Sequence, residues 1–124
     1  MNLSVLKKEY SIYKLNPSEK TPDIVLNSDF YSVSKTSEEL SIVCESNFNI
    51  SSREVECGWR VLKVEGNLDF SLTGILSSLA LPLANKKISI FAISTFNTDY
   101  LMVKDNKLEE AISCLIKSGF SILR

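Results

Sequence analysis

The polar run Ser94–Asp99 is the first candidate for chemistry, because it separates two strongly apolar segments in the stretch ISIFAISTFNTDYLMVK. Asp99 is the only acidic residue between positions 69 and 105, and a carboxylate at the start of a strand can accept a ligand ammonium or guanidinium group. Thr95 and the backbone nearby offer further polar contacts. The run also fits a solvated hairpin, since Asn97 tolerates left-handed backbone geometry and Asp99 can hydrogen-bond a turn. The sequence leaves both interpretations open.

A second candidate is the stretch EGNLDFSLTGIL, where the first helix of the C-terminal half is expected to begin. The free N–H groups at the start of a helix favour an anion such as a carboxylate. Gly74 removes a side chain where a ligand backbone could approach, and Thr73 offers a hydroxyl. The amides from Leu72 to Ile75 point outward if the helix starts there. The alternative is that Ser71 or Thr73 caps the helix and Gly74 eases close packing.

The composition argues against most catalytic and metal-dependent functions. The 124 residues include no histidine, which removes the commonest general base, the commonest partner of a nucleophilic serine or cysteine, and the commonest metal ligand. Cys44, Cys57 and Cys114 are widely spaced and odd in number, so we expect small packed side chains in a reducing compartment rather than disulfides or a zinc site. No catalytic residue, metal or cofactor is therefore predicted.

Charge and hydropathy argue against two classes of partner. The formal net charge is −1, and the sequence lacks the clustered basic residues with which proteins displace counterions from nucleic acid. The N-terminal segment MNLSVLKKEY meets charge after six residues, too early for a signal peptide, and the longest apolar-rich run, GILSSLALPLA, is far shorter than a membrane span. We expect a globular protein of the cytoplasm that binds neither nucleic acid nor membrane.

Periodicity in the C-terminal half predicts a strand, a helix and then two paired strands. The segment Trp59–Gly66 alternates as a strand does, and the apolar residues that follow recur at helical spacing from Thr73 to Asn85. Pro82 should kink or shorten the last turn of this helix. Ile88–Ser94 and Asp99–Lys104 are predicted to pair as strands with little charge, as expected of a sheet covered by helices.

A second helix and a final strand complete the pattern. Asp105 or Asn106 can cap the helix, the acidic residues after them suit its positive end, and Gly119 suits its C-terminal stop. FSILR is then a short last strand. The order strand, helix, strand, strand, helix, strand is the ferredoxin-like βαββαβ arrangement of the α+β class, a four-stranded sheet with both helices on one face.

The N-terminal half resembles a reduced copy of this pattern. Strands are predicted at Glu9–Leu15, Asp29–Lys35 and Glu39–Glu45, with room for one short helix near Asp23–Leu26. Ser46–Glu54 is the expected connector to the C-terminal half. A strand-rich segment of this size leaves sheet edges and an apolar face open, so we expect it to dock on the second half instead of folding alone.

The block GWRVLKVEGNLDFSLTGILSSLALPLANKKISIFAISTFNTDYLMVK, residues 58–104, resembles a known family. It is similar to ACT-domain proteins of the small bacterial type related to the cytosolic arginine-sensor family and to the regulatory domains of aspartate kinases. LTGIL, IFAISTF and TDYLMVK, in that order, carry the resemblance, which extends more loosely through FYSVSKTSEELSIVCE. It implies a tandem pair of ACT-like units, a reduced, strand-rich one over residues 1–57 and a ferredoxin-like ACT domain over residues 58–124.

The resemblance also implies a ligand and its site. Such domains bind a small ligand, usually an amino acid, where the start of the first helix meets the hairpin, which corresponds here to Leu72, Thr73, Gly74, Ile75, Thr95, Phe96 and Asp99. The carboxylate of an amino acid would lie against the helix amides, and its ammonium or a cationic side chain against Asp99. Because the arginine sensors are longer chains, either a second copy supplies the remaining surface, in a homodimer, or the pocket is incomplete.

Two function classes follow. The first is a non-catalytic regulatory or sensor module that binds an amino acid or similar metabolite and passes its occupancy to a partner protein by stabilising one arrangement of units. The alternative is a ligand-independent interaction or oligomerisation module, in which Phe96 and the sheet edges mediate assembly. An enzyme is disfavoured because no nucleophile and base are evident. A ferredoxin-like RNA-binding domain is disfavoured because its aromatic strand signature is missing.

Overall fold

A computed structural model describes residues 1–66 and 73–124 of the chain, and those residues form eight strands, two α-helices and two short 3-10 helices. The strands are β1 (Asn2–Val5), β2 (Tyr10–Leu15), β3 (Ser32–Lys35), β4 (Leu40–Glu45), β5 (Glu54–Val64), β6 (Phe91–Ser94), β7 (Asp99–Lys104) and β8 (Ser121–Leu123). The α-helices are α1 (Ile75–Asn85) and α2 (Leu108–Lys117), and the 3-10 helices cover Asp23–Asn27 and Asp105–Lys107. The predicted α+β class is confirmed.

The chain divides into two compact units, which we call the N-terminal unit, residues 8–59, and the C-terminal unit, residues 1–7 together with 60–124. The C-terminal unit has the predicted order β5, α1, β6, β7, α2, β8. One apolar core joins its strands to both helices, and its members include Leu62, Val64, Leu79, Leu83, Leu101, Val103, Ala111, Ile112 and Leu115. The boundary predicted between residues 57 and 58 stays a prediction.

The C-terminal unit contains a strand that the sequence pattern did not reveal. β1 pairs antiparallel with β5, with Leu3 opposite Val64, and parallel with β8, with Leu3 opposite Ile122. Within this unit the described strands follow the order β6, β7, β5, β1, β8, so it contains five strands where the pattern predicted four. Leu3 is buried in the core, and this burial accounts for the insertion of so short a strand.

The helices agree with the prediction in extent but not at their starts. α1 ends at Asn85 as predicted, so Pro82 lies inside it without shortening the last turn, where Leu83 is fully buried. The predicted cap of α2 is wrong, because the N-cap is Lys107 and no side chain supplies a cap hydrogen bond. The Asp105 carboxylate instead accepts from the Arg60 guanidinium at 3.2 Å.

Some strands begin at other residues than the sequence pattern predicts, because core packing and strand pairing set the backbone conformation there. β7 covers the predicted residues, whereas β6 begins three residues after Ile88, whose side chain packs in the core. β5 begins at Glu54, earlier than the predicted Trp59, because its first residues pair with β2, where Tyr13 lies opposite Val55. The predicted connector therefore ends before Glu54.

The N-terminal unit is strand-rich as predicted. β2, β4 and the short helix at Asp23–Asn27 agree with expectation, while β3 begins at Ser32, three residues late. Within the unit the antiparallel order is β3, β4, β2 and the first part of β5. A separate core forms from Tyr13, Leu15, Val25, Leu40, Ile42 and Cys44.

Candidate functional site

The polar run closes the hairpin between β6 and β7. Ser94 lies opposite Asp99 in the register, so the loop is residues 95–98. The Thr95 N–H donates to the Thr98 carbonyl oxygen at 2.9 Å, and the Thr98 N–H donates to Thr95 Oγ1 at 3.3 Å. The Thr95 hydroxyl also donates to the Thr98 carbonyl oxygen at 3.1 Å. Turn chemistry therefore accounts for Thr95, one of the predicted ligand-binding residues.

Thr98 fixes this hairpin to the end of β5, a role that the sequence did not indicate. Its side chain is buried, with 3% of the residue exposed, and Oγ1 donates to the Val64 carbonyl oxygen at 2.7 Å. Thirty-four residues separate the two partners, so no local pattern could pair them. The loop between β6 and β7 is consequently held at the end of the sheet where β5 finishes.

Asp99 faces the side of the sheet that the helices cover. Alternate residues of a strand share one face, and Leu101 and Val103 of β7 belong to the core that includes both helices. Asp99 has the same parity and is half-buried, and its cross-strand partner Ser94 donates a hydroxyl hydrogen bond to its Oδ1. The carboxylate is therefore positioned by a neighbour on the same face.

Glu65 provides a useful contrast, because it lies near the same end of the sheet on the opposite face. Val64 points into the helix-covered core, so the residues on either side of it point away. Glu65 Oε1 accepts from the Ser4 hydroxyl at 2.8 Å and lies 3.8 Å from Lys63 Nζ. Among these two carboxylates, only that of Asp99 is directed toward the helices.

Among residues 1–66 and 73–124 no side chain caps the start of α1. The N-cap is Gly74, whose φ of 77° is left-handed, so the alternative in which Thr73 serves as the cap is wrong. The Ser77 and Ser78 hydroxyls donate back to the carbonyl oxygens of Gly74 and Ile75, at 3.0 and 2.7 Å. These bonds satisfy carbonyl oxygens and leave the helix amides without a side-chain acceptor from the first turn, which holds no acidic residue.

Topology directs this helix start toward the hairpin. Residues 86–90 join the end of α1 to the beginning of β6, and β6 ends at the hairpin. A helix of 11 residues rises about 16 Å and a strand of four residues about 13 Å, so α1 is long enough to return along the whole of β6. We therefore expect Thr73, Gly74 and Ile75 to approach the end of the sheet that carries the hairpin.

The predicted site residues consequently form two groups. The helix group is exposed at Thr73 and Gly74 and half-buried at Ile75, and the hairpin group contains Thr95, Phe96 and Asp99. Phe96, at the turn, is 79% exposed. Leu72 and Ser71 lie outside the described residues. That the two groups bind one ligand stays a prediction.

A buried carboxylate in the N-terminal unit is structural. Glu45 is 3% exposed, accepts from the Asp29 N–H at 2.6 Å and lies 3.1 Å from Lys8 Nζ. Burial alone would raise the pKa of Glu45, but the hydrogen bonds from Asp29, Lys8 and Ser28 outweigh it and the pKa is lowered. The same carboxylate holds the Asp29 backbone against β4.

The three cysteines differ in their exposure to solvent. Cys44 and Cys114 are buried as predicted, and burial raises the pKa of the Cys44 thiol to about 11. Cys57 is exposed, so the expectation that all three are packed was wrong.

In residues 1–66 and 73–124 no three Cys, Asp or Glu side chains cluster as a metal site would require. The same residues contain no helix that is long and apolar enough to span a membrane.

Both helices packing on one core, in the order β5, α1, β6, β7, α2, β8, define a ferredoxin-like α+β domain. The ACT domain family model matches residues 54–117, just over half of the 124 residues. The chain therefore belongs to the ACT domain family. A second family model, for an N-terminal domain, matches residues 8–53, nearly the whole of the N-terminal unit.

Two curated relatives confirm the resemblance to the arginine-sensor family. The cytosolic arginine sensor for mTORC1 subunit 1 from Rattus norvegicus is 41% identical over 59 residues, which cover 47% of this chain and 17% of the sensor. The Homo sapiens protein CASTOR3P is 30% identical over 107 residues, which cover 76% of this chain and 65% of that protein. The chain thus spans less than two thirds of the length of either relative.

Solved structures agree with the fold. Protein Atu0741 from Agrobacterium tumefaciens has a TM-score of 0.91 and 37% identity, with 98% of this chain and 91% of that chain covered. The aspartate kinase of Clostridium acetobutylicum has a TM-score of 0.68 at 12% identity and covers 94% of this chain and 34% of the kinase. At that identity the kinase shows the likeness of fold alone, which is the likeness that the sequence predicted.

Proposed function

We propose that this chain is a non-catalytic regulatory module that binds a small amino-acid ligand between the start of α1 and the β6–β7 hairpin. The observation that carries the proposal is the orientation of Asp99 toward the helix-covered face. In the described part of the chain Ser94 is the one side chain that donates to this carboxylate, and it occupies Oδ1. Oδ2 can therefore accept from a ligand ammonium or guanidinium.

The other end of the ligand would meet the first turn of α1. That turn holds no acidic residue, and no side chain of the described residues caps it, so its amides and the helix dipole favour a carboxylate. Gly74 has no side chain to obstruct the approach, and among the described residues a Cβ built on it would meet only Ser77 Oγ at 3.8 Å. The rat relative is named as an arginine sensor, which supports an amino acid as the ligand class.

The module would act in the cytoplasm as a homodimer, with the second copy completing the ligand surface and a partner protein sensing the occupied state. The absence of histidine from the sequence supports a role without catalysis, because the commonest general base is lacking. A second candidate function is ligand-independent assembly, which the 79% exposure of Phe96 at the hairpin turn favours.

A thermal-melt screen against each common amino acid, with nucleotides as unrelated ligands, tests the proposal. A ligand at a hundred times its dissociation constant stabilises the native state by about 2.7 kcal/mol, which raises the melting temperature by several degrees. We expect one amino acid to produce this shift and Asp99→Ala to lose it while keeping the fold. Asp23→Ala, which removes an exposed carboxylate in the N-terminal unit, is the matched control and should retain the shift.

Two results would contradict the proposal. An unchanged dissociation constant in Asp99→Ala would remove that carboxylate from the site. No shift with any amino acid, together with a melting temperature that depends on protein concentration, would favour the assembly module instead.

A further inference from the structure

The N-terminal unit contains a cavity of about 560 Å³ that the site above does not use. It lies where β2 ends, and its walls come from the turn after β2, from the residues before β4 and from the segment that enters β5. Its volume falls within the range of about 300–1,000 Å³ typical of small-molecule sites. The lining residues that matter for chemistry are Lys14, Leu15, Glu19, Glu38, Arg53 and Glu54.

Hydrogen bonds fix the backbone around this cavity. The Ser52 hydroxyl donates to the Lys14 carbonyl oxygen at 2.8 Å and accepts from the Glu54 N–H at 3.3 Å. On the other wall, the Asn16 N–H donates to Glu19 Oε2 at 2.8 Å, and the Glu19 N–H donates to the Asn16 carbonyl oxygen at 3.0 Å. The cavity is therefore shaped before any ligand binds.

Some charged groups of the lining are bonded to a neighbouring residue, and others form no ion pair within the described chain. Lys14 Nζ lies 3.6 Å from Glu54 Oε2, and the Glu19 carboxylate is engaged by the backbone of Asn16. Arg53 and Glu38 are exposed, and neither forms an ion pair with another residue of 1–66 or 73–124. The cavity is therefore lined by one guanidinium and one carboxylate that lack an ion pair in the described part of the chain, together with the buried Leu15.

We propose that the N-terminal unit binds a small zwitterion in this cavity, with the ligand carboxylate on Arg53 and the ligand ammonium on Glu38. A guanidinium can hold a carboxylate through two parallel N–H donors, and a carboxylate accepts an ammonium through a charge-assisted hydrogen bond. A simple anion fits less well, because three carboxylates and two cations line the cavity. This site is independent of the one proposed on the C-terminal unit.

Amide chemical shifts of the full-length 15N-labelled protein test the proposal residue by residue. The probes are individual amino acids and glycylglycine, with acetate and methylammonium as half-ligands that carry one charge each. A zwitterion should shift the amides of residues 14–19 and 51–54, and neither half-ligand should reproduce the effect at the same concentration. Arg53→Gln should weaken binding by about tenfold or more. Lys35→Gln, which removes an exposed cation of the same unit outside the cavity, should leave binding unchanged.

The result separates this site from the one near Asp99. Shifts in residues 73–75 and 94–99 report on the C-terminal unit, and Arg53→Gln should not alter them. The proposal is overturned if no probe shifts residues 14–19 and 51–54, or if Arg53→Gln binds as tightly as the wild type. It is also overturned if acetate alone shifts the same amides as strongly, because the cavity would then be an anion site.

Discussion

The hydrogen bond from Thr98 to the end of β5 should be measurable as stability of the C-terminal unit. Thr98→Val keeps the branched shape of the side chain but removes the donor, so the Val64 carbonyl oxygen loses a partner at a buried position. Removing one partner of a buried hydrogen bond costs about 1–3 kcal/mol. At roughly 4 °C per kcal/mol for a chain of this length, the melting temperature should fall by about 4–12 °C.

Urea unfolding followed by circular dichroism measures this loss as a lower midpoint at an unchanged slope. Thr21→Val is the matched control, since Thr21 is half-buried and its hydroxyl has no hydrogen bond within the described chain. Thr98→Ser keeps the donor and should lose less stability than Thr98→Val. A loss below about 0.5 kcal/mol for Thr98→Val, within the usual range of surface substitutions, would refute the anchoring role.

Two further predictions concern backbone strain and protonation. Gly74→Ala should destabilise the protein by about 1 kcal/mol because φ is 77°, although the added Cβ meets no close contact among the described residues. Gly74→Asn should cost less in urea unfolding, and equal stabilities would show that this conformation is not strained. The pKa of Glu45 is lower in the folded chain than its ordinary value, so its contribution is complete above the ordinary glutamate pKa and lost as the pH falls through the folded one. Between pH of about 6 and about 3, the free energy of unfolding measured in urea should fall more steeply for the wild type than for Glu45→Gln. Parallel pH dependences of the two proteins would contradict this role of Glu45.

Regular periodicity explains why much of the C-terminal unit could be predicted. The apolar stripe of α1 and the alternation in β7 are local signals, and both elements end at the predicted residues. β1 could not be found in this way, because its four residues are ordered by partners about sixty and a hundred and twenty positions away. The cap of α2 failed for a related reason, since Asp105 is drawn to Arg60, forty-five residues earlier.

The early start of β5 shows a limit of composition as a signal. All four residues of Glu54–Cys57 are exposed, which is typical of a loop, yet their backbone pairs with β2. Hydrogen bonding to a neighbouring strand, rather than side-chain burial, decides the conformation there. The same limit applies to Arg53 and Glu38, whose residue types gave no sign that the chain would bring them to one cavity.

The polar run of the hairpin serves both as a turn and as part of the proposed site, because different residues take the two roles. The Thr95 hydroxyl donates within the turn and the Thr98 hydroxyl donates to the Val64 carbonyl oxygen, so replacing either residue should mainly change stability. Asp99 contributes no hydrogen bond to the loop itself and accepts only from Ser94 within the described chain, so replacing it should change ligand affinity first. A loop anchored by buried bonds presents a carboxylate in one fixed position, which is the condition for selective binding of a cation. The turn chemistry therefore supports the site hypothesis, and the separate effects of Thr98→Val and Asp99→Ala distinguish the two roles.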